Sequence, residues 1–187
     1  MTLRAHLSGL LLLALAACGG GSSGGPGRPA APPSLTYRDP APTGFRLEAD
    51  PATQGTSTLV LRLVGPAGTA LRGVTLFLET DEARAGWGDV PGTSQRFLNH
   101  GPLEPGVDPP SLARGYRRGG RLQVGVFHRE GASPVLGAGP LLSVALAARA
   151  GAAPGPLALR HTRAALFVDG ARHIVEVPVA LGTVTAR

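Results

Sequence analysis

The amino-acid sequence predicts an all-β fold, a sandwich or barrel with one long loop insertion, whose eight or nine strands suffice for two packed antiparallel sheets. From residue 35 onward, apolar and polar residues alternate in short runs, as they do in strands with one buried face. The 28 glycines and 18 prolines punctuate these runs. No segment carries a long helical period that would compete with the alternation.

Alternation identifies the strands in the first half of the domain. Residues 35–37 and 45–49 are short candidates, and residues 57–64 and 74–79 are the clearest strands. The apolar residues that share a face in the two clear runs are Leu59, Leu61 and Leu63, and then Val74, Leu76 and Leu78. A Gly-Pro-Ala-Gly turn at residues 65–68 lies between these runs, which predicts that they form a hairpin.

Residues 81–120 form the predicted loop insertion. They hold many Gly and Pro residues and show no sustained period. Loops longer than about 15 residues inside a compact domain are usually functional or disordered, so we expect this segment to carry binding specificity. Within it, residues 109–116 are expected to include one short helical turn.

Strands resume after the insertion. The predicted runs are residues 122–127, 141–148, 157–160, 165–168, 174–179 and 183–185. Residues 141–150 would also suit a buried helix, but Gly139-Pro140 and Gly151 bracket them tightly, which favours a strand. Asp169-Gly170 lies between two apolar runs and predicts a hairpin turn.

Five segments of the second half together resemble a known module. They are residues 120–127 (GRLQVGVF), 139–146 (GPLLSVAL), 156–159 (PLAL), 167–170 (FVDG) and 182–185 (GTVT). The pattern is similar to the C-terminal half of cohesin-type modules, which belong with the carbohydrate-binding β-sandwiches of jelly-roll topology. The resemblance implies a cohesin-type fold and, because cohesins bind dockerin partners through one sheet face, a protein-binding role. It identifies no binding residue in this chain.

The N-terminal segment predicts a lipid anchor. Leu15-Ala16-Ala17-Cys18 follows a short apolar run and resembles a bacterial lipobox. The run is about half of the ~20 residues that span a bilayer, so it fits a signal peptide and not a membrane helix. The resemblance implies cleavage before Cys18 and acylation of this cysteine, and several acyl chains make a lasting anchor. Gly19, where an aspartate would imply retention in the inner membrane, implies an outer-membrane location.

The chain is thus predicted to have three parts. Residues 1–17 are the signal peptide, residues 18–34 hold the lipidated cysteine and a flexible Gly/Ser/Pro tether, and residues 35–187 are the β-sandwich domain. The domain has the usual size for a single core of about 150 residues. Cys18 is the only cysteine, so no disulfide is expected and packing must stabilise the fold.

The formal net charge of +6 does not indicate a nucleic-acid partner. All 18 basic residues are arginines, and together with the many Ala, Gly and Pro residues this indicates compositional bias. The arginines are also spread along the chain. Outside the cytoplasm, we expect this mild positive charge to attract anionic lipid or glycolipid headgroups.

No constellation of residues predicts catalysis, so we expect neither an enzyme nor a cofactor. The chain lacks a G-x-S-x-G motif, any lysine and a usable thiol. His128 and Glu130 would share a strand face, but solvated strand histidines are the favoured interpretation of His100, His128, His161 and His173. No metal site is therefore predicted. Asp81, Glu82 and Asp89 leave a calcium site open as an alternative to a solvated loop.

The candidate partner-binding residues lie in the predicted insertion. They are Trp87, Phe97, Tyr116, Arg117 and Arg118. Tyr116 lies within the only basic cluster, formed with Arg114, Arg117, Arg118 and Arg121, which suits anion or glycolipid contact or an ordinary solvated loop. The three aromatic residues alternatively plug one end of the sandwich, which would weaken a carbohydrate-binding interpretation.

The predicted function is a membrane-anchored, non-catalytic interaction module of the bacterial envelope, accessory to a secretion, pilus or envelope assembly. Its partners would be the membrane, through Cys18, and an envelope protein, with no nucleic acid. The alternative is a surface lipoprotein that binds polysaccharide.

Overall fold

The computed structural model describes residues 33–103, 111–128 and 135–187, all within the compact unit Ala31–Arg187. The described residues form fifteen strands and two short 3-10 turns, at Pro51–Thr53 and Gly101–Leu103, and the predicted all-β class is confirmed. The strands are β1 (Leu35–Arg38), β2 (Phe45–Ala49), β3 (Thr58–Val64), β4 (Leu71–Thr80), β5 (Ala85–Gly88), β6 (Phe97–Asn99), β7 (Ser111–Arg118), β8 (Arg121–His128), β9 (Leu142–Ala148), β10 (Gly155–Leu157), β11 (Leu159–His161), β12 (Ala165–Asp169), β13 (Ile174–Val177), β14 (Val179–Ala180) and β15 (Thr183–Ala186).

The strands form two large sheets and one small sheet. The β4–β8 sheet has the order β13-β12-β4-β8-β7, and β11 also pairs with β4. The β3–β9 sheet has the order β14-β2-β3-β9-β5, and β6 also pairs with β9. A three-stranded sheet, β1-β15-β10, joins the two chain ends of the domain. All these pairs are antiparallel except β14–β2, which is parallel.

One hydrophobic core cluster holds residues from all three sheets. The alternating residues that the sequence assigned to the core are buried, as predicted: Leu59, Leu61, Leu63, Val74, Leu76, Leu78, Leu122, Val124 and Val126. Strand alternation dictates this burial, because successive side chains of a strand point to opposite faces. Residues 142–148 form a strand, so the preference for a strand over a buried helix is confirmed.

The predicted hairpin between residues 57–64 and 74–79 is wrong. β3 pairs with β2 and β9, whereas β4 pairs with β12 and β8 in the other large sheet. The connection at residues 65–70 therefore crosses between sheets. Alternation shows which face of a strand is buried and does not identify its neighbour, so the same pattern fits a hairpin and a crossover equally well.

The predicted insertion is also wrong, because residues 81–120 contain three strands. β5 and β6 pair with β9, and β7 pairs with β8 along its whole length. The helical turn expected at residues 109–116 falls largely on this strand. β7 escaped detection because it is an edge strand whose sequence, SLARGYRR, carries arginines and a glycine where a central strand carries apolar residues.

The hairpin predicted at Asp169-Gly170 is confirmed, with a different turn. β12 and β13 pair antiparallel, and the Asp169 N–H donates to the His173 carbonyl at 3.0 Å. The positive φ of the turn, 72°, belongs to Arg172 and not to Gly170. The turn is therefore longer than a two-residue Asp-Gly turn, with a non-glycine residue in the left-handed region.

Candidate functional site

The outer surface of the β4–β8 sheet is the strongest candidate for a functional site. Directly paired residues in a sheet lie on the same side. Since Val74, Leu76 and Leu78 face the core, their neighbours on β4 and the partners of those neighbours face outward. We call this surface the β4–β8 outer face; its residues include Thr75, Phe77, Glu79, Arg114, Tyr116, Arg118, Arg121, Gln123, Gly125, Phe127, Arg160, Leu166, Val168, Ile174 and Glu176.

Small residues at the centre of this face leave a shallow hollow in its surface. A Cβ atom built on Gly125 would lie 2.7 Å from the Thr75 Oγ1 atom, so only glycine fits there without a shift. The resulting hollow, of about 150 Å³, is lined by Thr75, Arg114, Gly125, Val126 and Phe127. A partner side chain of modest size could enter it.

Apolar groups lie at both sides of the face. Tyr116 is 53% exposed on β7, and Ile174 is 71% exposed on β13. Phe77, at the centre, is covered by the Arg163 guanidinium, which lies 4.6 Å from the ring centroid. Aromatic residues and arginines are enriched at protein interfaces, and this face presents both types.

One carboxylate on the face is fully engaged. Glu79 accepts hydrogen bonds from Arg121 at 2.9 Å and from Arg160 at 2.8 Å. These two bonds lower the pKa of the Glu79 carboxyl below its ordinary value, despite an opposing effect of desolvation. Glu79 therefore remains ionised and ties β4 to β8 and β11.

Two other arginines of the face have no such partner. Arg114 and Arg118 form no ion pair within the described part of the chain. Arg118 is also the direct cross-strand partner of Arg121, and like charges in directly opposed positions are unfavourable. The described residues of the face therefore carry an excess of positive charge at its β7 edge.

A second hollow lies where β7 turns into β8. Its volume is about 560 Å³, and it is lined by Glu79, Glu82, Tyr116, Arg118, Gly119, Gly120 and Arg121. Gly119 adopts a positive φ of 58°, which suits the tight turn between the two strands. The hollow is thus bordered by the exposed Tyr116 ring and by Arg118.

The structure separates the five predicted partner-binding residues. Tyr116 and Arg118 lie on the β4–β8 outer face. Trp87 is only 6% exposed and packs in the core, where its indole N–H donates to the Gly120 carbonyl at 2.8 Å. Phe97 is half-buried against the same core. Arg117 binds Asp89 at 2.8 Å and the Trp87 carbonyl at 3.4 Å, which joins β7 to the β5 segment.

Core packing of the aromatics therefore holds for Trp87 and Phe97, whereas the exposed Tyr116 does not plug the sandwich. The basic cluster also differs from the predicted solvated loop, because its members lie on the β7–β8 strand pair. Phe77, Thr75 and Gly125 were not identified from the sequence as members of the same face as Tyr116. Their outward positions on β4 and β8 were readable from alternation, but the pairing of β8 with β7 was not.

One of the four histidines is buried and two are partly buried, so the interpretation as solvated strand residues holds for His173 alone. His128 is 6% exposed. His100 Nε2 lies 2.7 Å from the Ser143 hydroxyl, and His161 Nε2 lies 2.8 Å from the Val179 carbonyl. Only His173 of the four is exposed. Glu130, the proposed companion of His128, lies outside the described residues.

The three acidic residues considered for calcium act separately. Asp81 accepts from the Ala83 N–H at 3.1 Å, Glu82 lies 3.7 Å from Arg149, and Asp89 pairs with Arg117. Across residues 33–103, 111–128 and 135–187, no group of three potential metal ligands is present. The same ranges contain no helix of the length and hydropathy needed to cross a membrane. Cys18 lies outside the described residues.

The opposite surface, on the β3–β9 sheet, differs in chemistry. Its arginines are paired, Arg46 with Glu48 and Arg62 with Asp50. A small apolar cluster of Val60, Ala145, Val90 and Leu98 covers part of it. The adjacent cavity, of about 420 Å³, is lined by Asp50, Thr53, Val60, Arg62, Val90, Pro91, Leu98, His100, Pro140 and Ser143.

No protein-family model matches the chain, and no curated protein matches it. Solved structures do match. The sixth cohesin of scaffoldin B from Acetivibrio cellulolyticus, solved with a Cel5 dockerin mutant, has a TM-score of 0.52 and 18% identity over 75% of this chain and 97% of that one. A type II cohesin–X–dockerin complex from the same organism has a TM-score of 0.54 and 10% identity, over 74% of this chain and 93% of that one. A type II cohesin domain from its cellulosome gives 0.52 and 11% identity over 82% and 95%.

These similarities agree with the strand arrangement described above and establish the architecture of the domain. The chain therefore has the β-sandwich fold of the cohesin modules.

Proposed function

We propose that this chain is a non-catalytic protein-docking module of the bacterial envelope, and that its partner binds the β4–β8 outer face. The observation that carries the proposal is the composition of that face. It combines the exposed Tyr116 and Ile174 with a hollow centred on Gly125 and with two arginines, Arg114 and Arg118, that form no ion pair among the described residues. Aromatic side chains and arginines supply most of the binding energy at protein interfaces.

The similar structures support the general part of this proposal, a role in binding another protein. Two of the cohesin modules described above were solved with dockerins bound, as was a type I cohesin–dockerin complex from Clostridium thermocellum, with a TM-score of 0.51 and 7% identity. Those cohesins are protein-binding modules, and we extend that general role to this chain. The identity of the partner does not follow from the fold.

We further propose that Cys18 is lipidated and holds the module at the outer membrane through the tether at residues 19–34. Globomycin, which blocks cleavage of lipoprotein precursors, should leave a larger precursor, and the substitution Cys18→Ser should leave a larger protein that is also unacylated. An unchanged mature size and unchanged detergent partitioning would exclude the anchor.

Site-specific photocrosslinking in the producing cell tests the docking face. A photoreactive amino acid at Gln123, at the exposed centre of the face, should form one discrete crosslinked species. The matched position is Thr58, which points outward from the β3–β9 sheet, and it should not form this species. Crosslinking from Thr58 but not from Gln123 would place the partner on the other sheet and overturn the proposal.

The polysaccharide alternative has less support. Sugar-binding sandwiches stack sugars on several exposed aromatic rings, whereas Tyr116 is the one large aromatic side chain that is exposed within the described ranges. Phe77 is already covered by Arg163. Binding of this chain to a glycan array, if the Tyr116→Ala substitution abolished it, would favour polysaccharide binding over protein docking.

A further inference from the structure

Three exposed side chains form a stripe along the edge strand β7. Arg114, Tyr116 and Arg118 occupy alternate positions, so all three point outward, and all three are exposed. With a rise of about 3.4 Å per residue, the two arginine Cα atoms lie ~14 Å apart, with the tyrosine between them. We call these residues the Arg-Tyr-Arg stripe.

The stripe is set apart by its place on the β4–β8 outer face, where two exposed arginines flank an exposed tyrosine. Six other described arginines form ion pairs: Arg46–Glu48, Arg62–Asp50, Arg117–Asp89, Arg121–Glu79, Arg149–Glu82 and Arg160–Glu79. Arg114 and Arg118 make no such pair within the described ranges. The proximity of Arg118 to Arg121 makes this arrangement unfavourable for the isolated domain.

Glu79, a carboxylate of the same face, does not neutralise the arginines of the stripe. It is held between Arg121 and Arg160. Among the described residues, the two guanidinium groups of the stripe are therefore left to bind an external anion. Guanidinium groups bind carboxylates with matched, often bidentate geometry.

We infer that the docking segment of the partner is acidic, with carboxylates that pair with Arg114 and Arg118 and an apolar side chain between them that packs on Tyr116. This inference rests on the proposed docking function and assigns its partner chemistry. The hollow of about 150 Å³ at Gly125, which Arg114, Val126 and Phe127 also line, offers space for the apolar side chain. Opposite charge at these positions also accelerates association.

A discrete acidic protein segment fits this face better than an anionic lipid surface. The face also carries Glu176, and Glu79 lies between its arginines. A continuous anionic surface would approach these carboxylates as closely as the arginines, whereas a segment can place its carboxylates only at Arg114 and Arg118.

Fluorescence anisotropy with the full chain in a neutral detergent tests the inference. The probe is a labelled peptide of alternating Glu and Leu residues, and the matched peptides carry Gln or Lys in place of Glu. The Glu peptide should bind, the Gln and Lys peptides should bind more weakly or not at all, and binding should weaken as salt rises from about 0.02 to 0.2 M. Arg114→Gln with Arg118→Gln should weaken binding about two- to thirtyfold.

The control variant removes the same charge elsewhere. Arg38→Gln with Arg187→Gln changes two exposed arginines on or beside the small β1–β15 sheet and should leave binding of the Glu peptide unchanged. An equal loss in both variants would show a net-charge effect and overturn the inference. Equal binding of the Glu and Gln peptides would also overturn it.

Lipid vesicles provide the remaining outcome. Binding to phosphatidylglycerol vesicles that depends on Arg114 and Arg118, without binding of the Glu peptide, would assign the stripe to the membrane and overturn the inference. The photocrosslink from Gln123 keeps the two proposals distinguishable. If that crosslink persists in the Arg114→Gln and Arg118→Gln variant at raised salt, the docking function stands and the acidic-partner inference fails.

Discussion

The two large sheets of this domain bury similar inner faces and present different outer faces. The β3–β9 sheet carries paired charges outward, such as Arg62 with Asp50, and its own segment around Val90 covers its apolar residues. The β4–β8 sheet leaves Tyr116 and Ile174 exposed, and its Arg114 and Arg118 form no ion pair with any residue that the structure describes. A surface with exposed apolar side chains and arginines without ion-pair partners is the better candidate for binding a partner protein.

The largest expected effect tests the core beneath both faces. Trp87→Ala should lower the free energy of unfolding by about 3–5 kcal/mol, because it removes a buried ring and the bond to the Gly120 carbonyl. Tyr116→Ala, on the exposed face, should change it by no more than about 0.5 kcal/mol. Urea unfolding of Cys18→Ser protein measures both. Similar losses would mean that Tyr116 is a structural residue, and the contrast between the faces would then fail.

A smaller effect compares one arginine from each face. Arg62→Gln should destabilise the domain by about 0.2–1 kcal/mol, because Asp50 loses its ion-pair partner. Arg118→Gln should leave stability unchanged or raise it by a few tenths of a kcal/mol, because Arg121 loses a like-charged neighbour.

Thermal unfolding at low salt measures the difference between these variants, which should shrink at about 1 M salt because exposed charges are screened. A destabilising Arg118→Gln substitution would show that Arg118 is satisfied within the domain. The basis for an unsatisfied stripe would then be lost.

The smallest expected effect on stability concerns Glu79, the carboxylate of the β4–β8 outer face that pairs with two arginines. Hydrogen bonds from Arg121 and Arg160 lower the pKa of Glu79, so its contribution to stability is present above the pKa of the unfolded chain. That contribution is lost as the pH falls through the folded pKa. Carboxyl resonances followed by NMR should show Glu79 titrating below its ordinary value.

Arg160→Gln provides the control for this titration, since removing one donor should raise the Glu79 pKa towards its ordinary value. Stability measured against pH should give the matching result. Wild type and Glu79→Gln should converge in acid and diverge above the unfolded pKa. A Glu79 titration insensitive to Arg160→Gln would mean that the ion pair does not form in solution.

The strands that the sequence predicted correctly are those with one regular buried face. Leu59, Leu61 and Leu63 alternate with less buried residues, and only a strand buries such a set together. β5 and β7 were missed because glycines, arginines and short length remove that signal. The candidate site was found in part for the same reason. The cluster around Tyr116 was visible in the sequence, but its separation from Arg117 required the knowledge that these residues lie on a strand.

The sequence by itself determined the all-β class, the buried faces of the long strands and the hairpin after Asp169, because these depend on local alternation and turn chemistry. The tertiary structure alone decided which strands are neighbours, since register and pairing depend on residues far apart in the chain. That decision buried Trp87, turned Arg117 towards Asp89, and left Arg114, Tyr116 and Arg118 together on an open face.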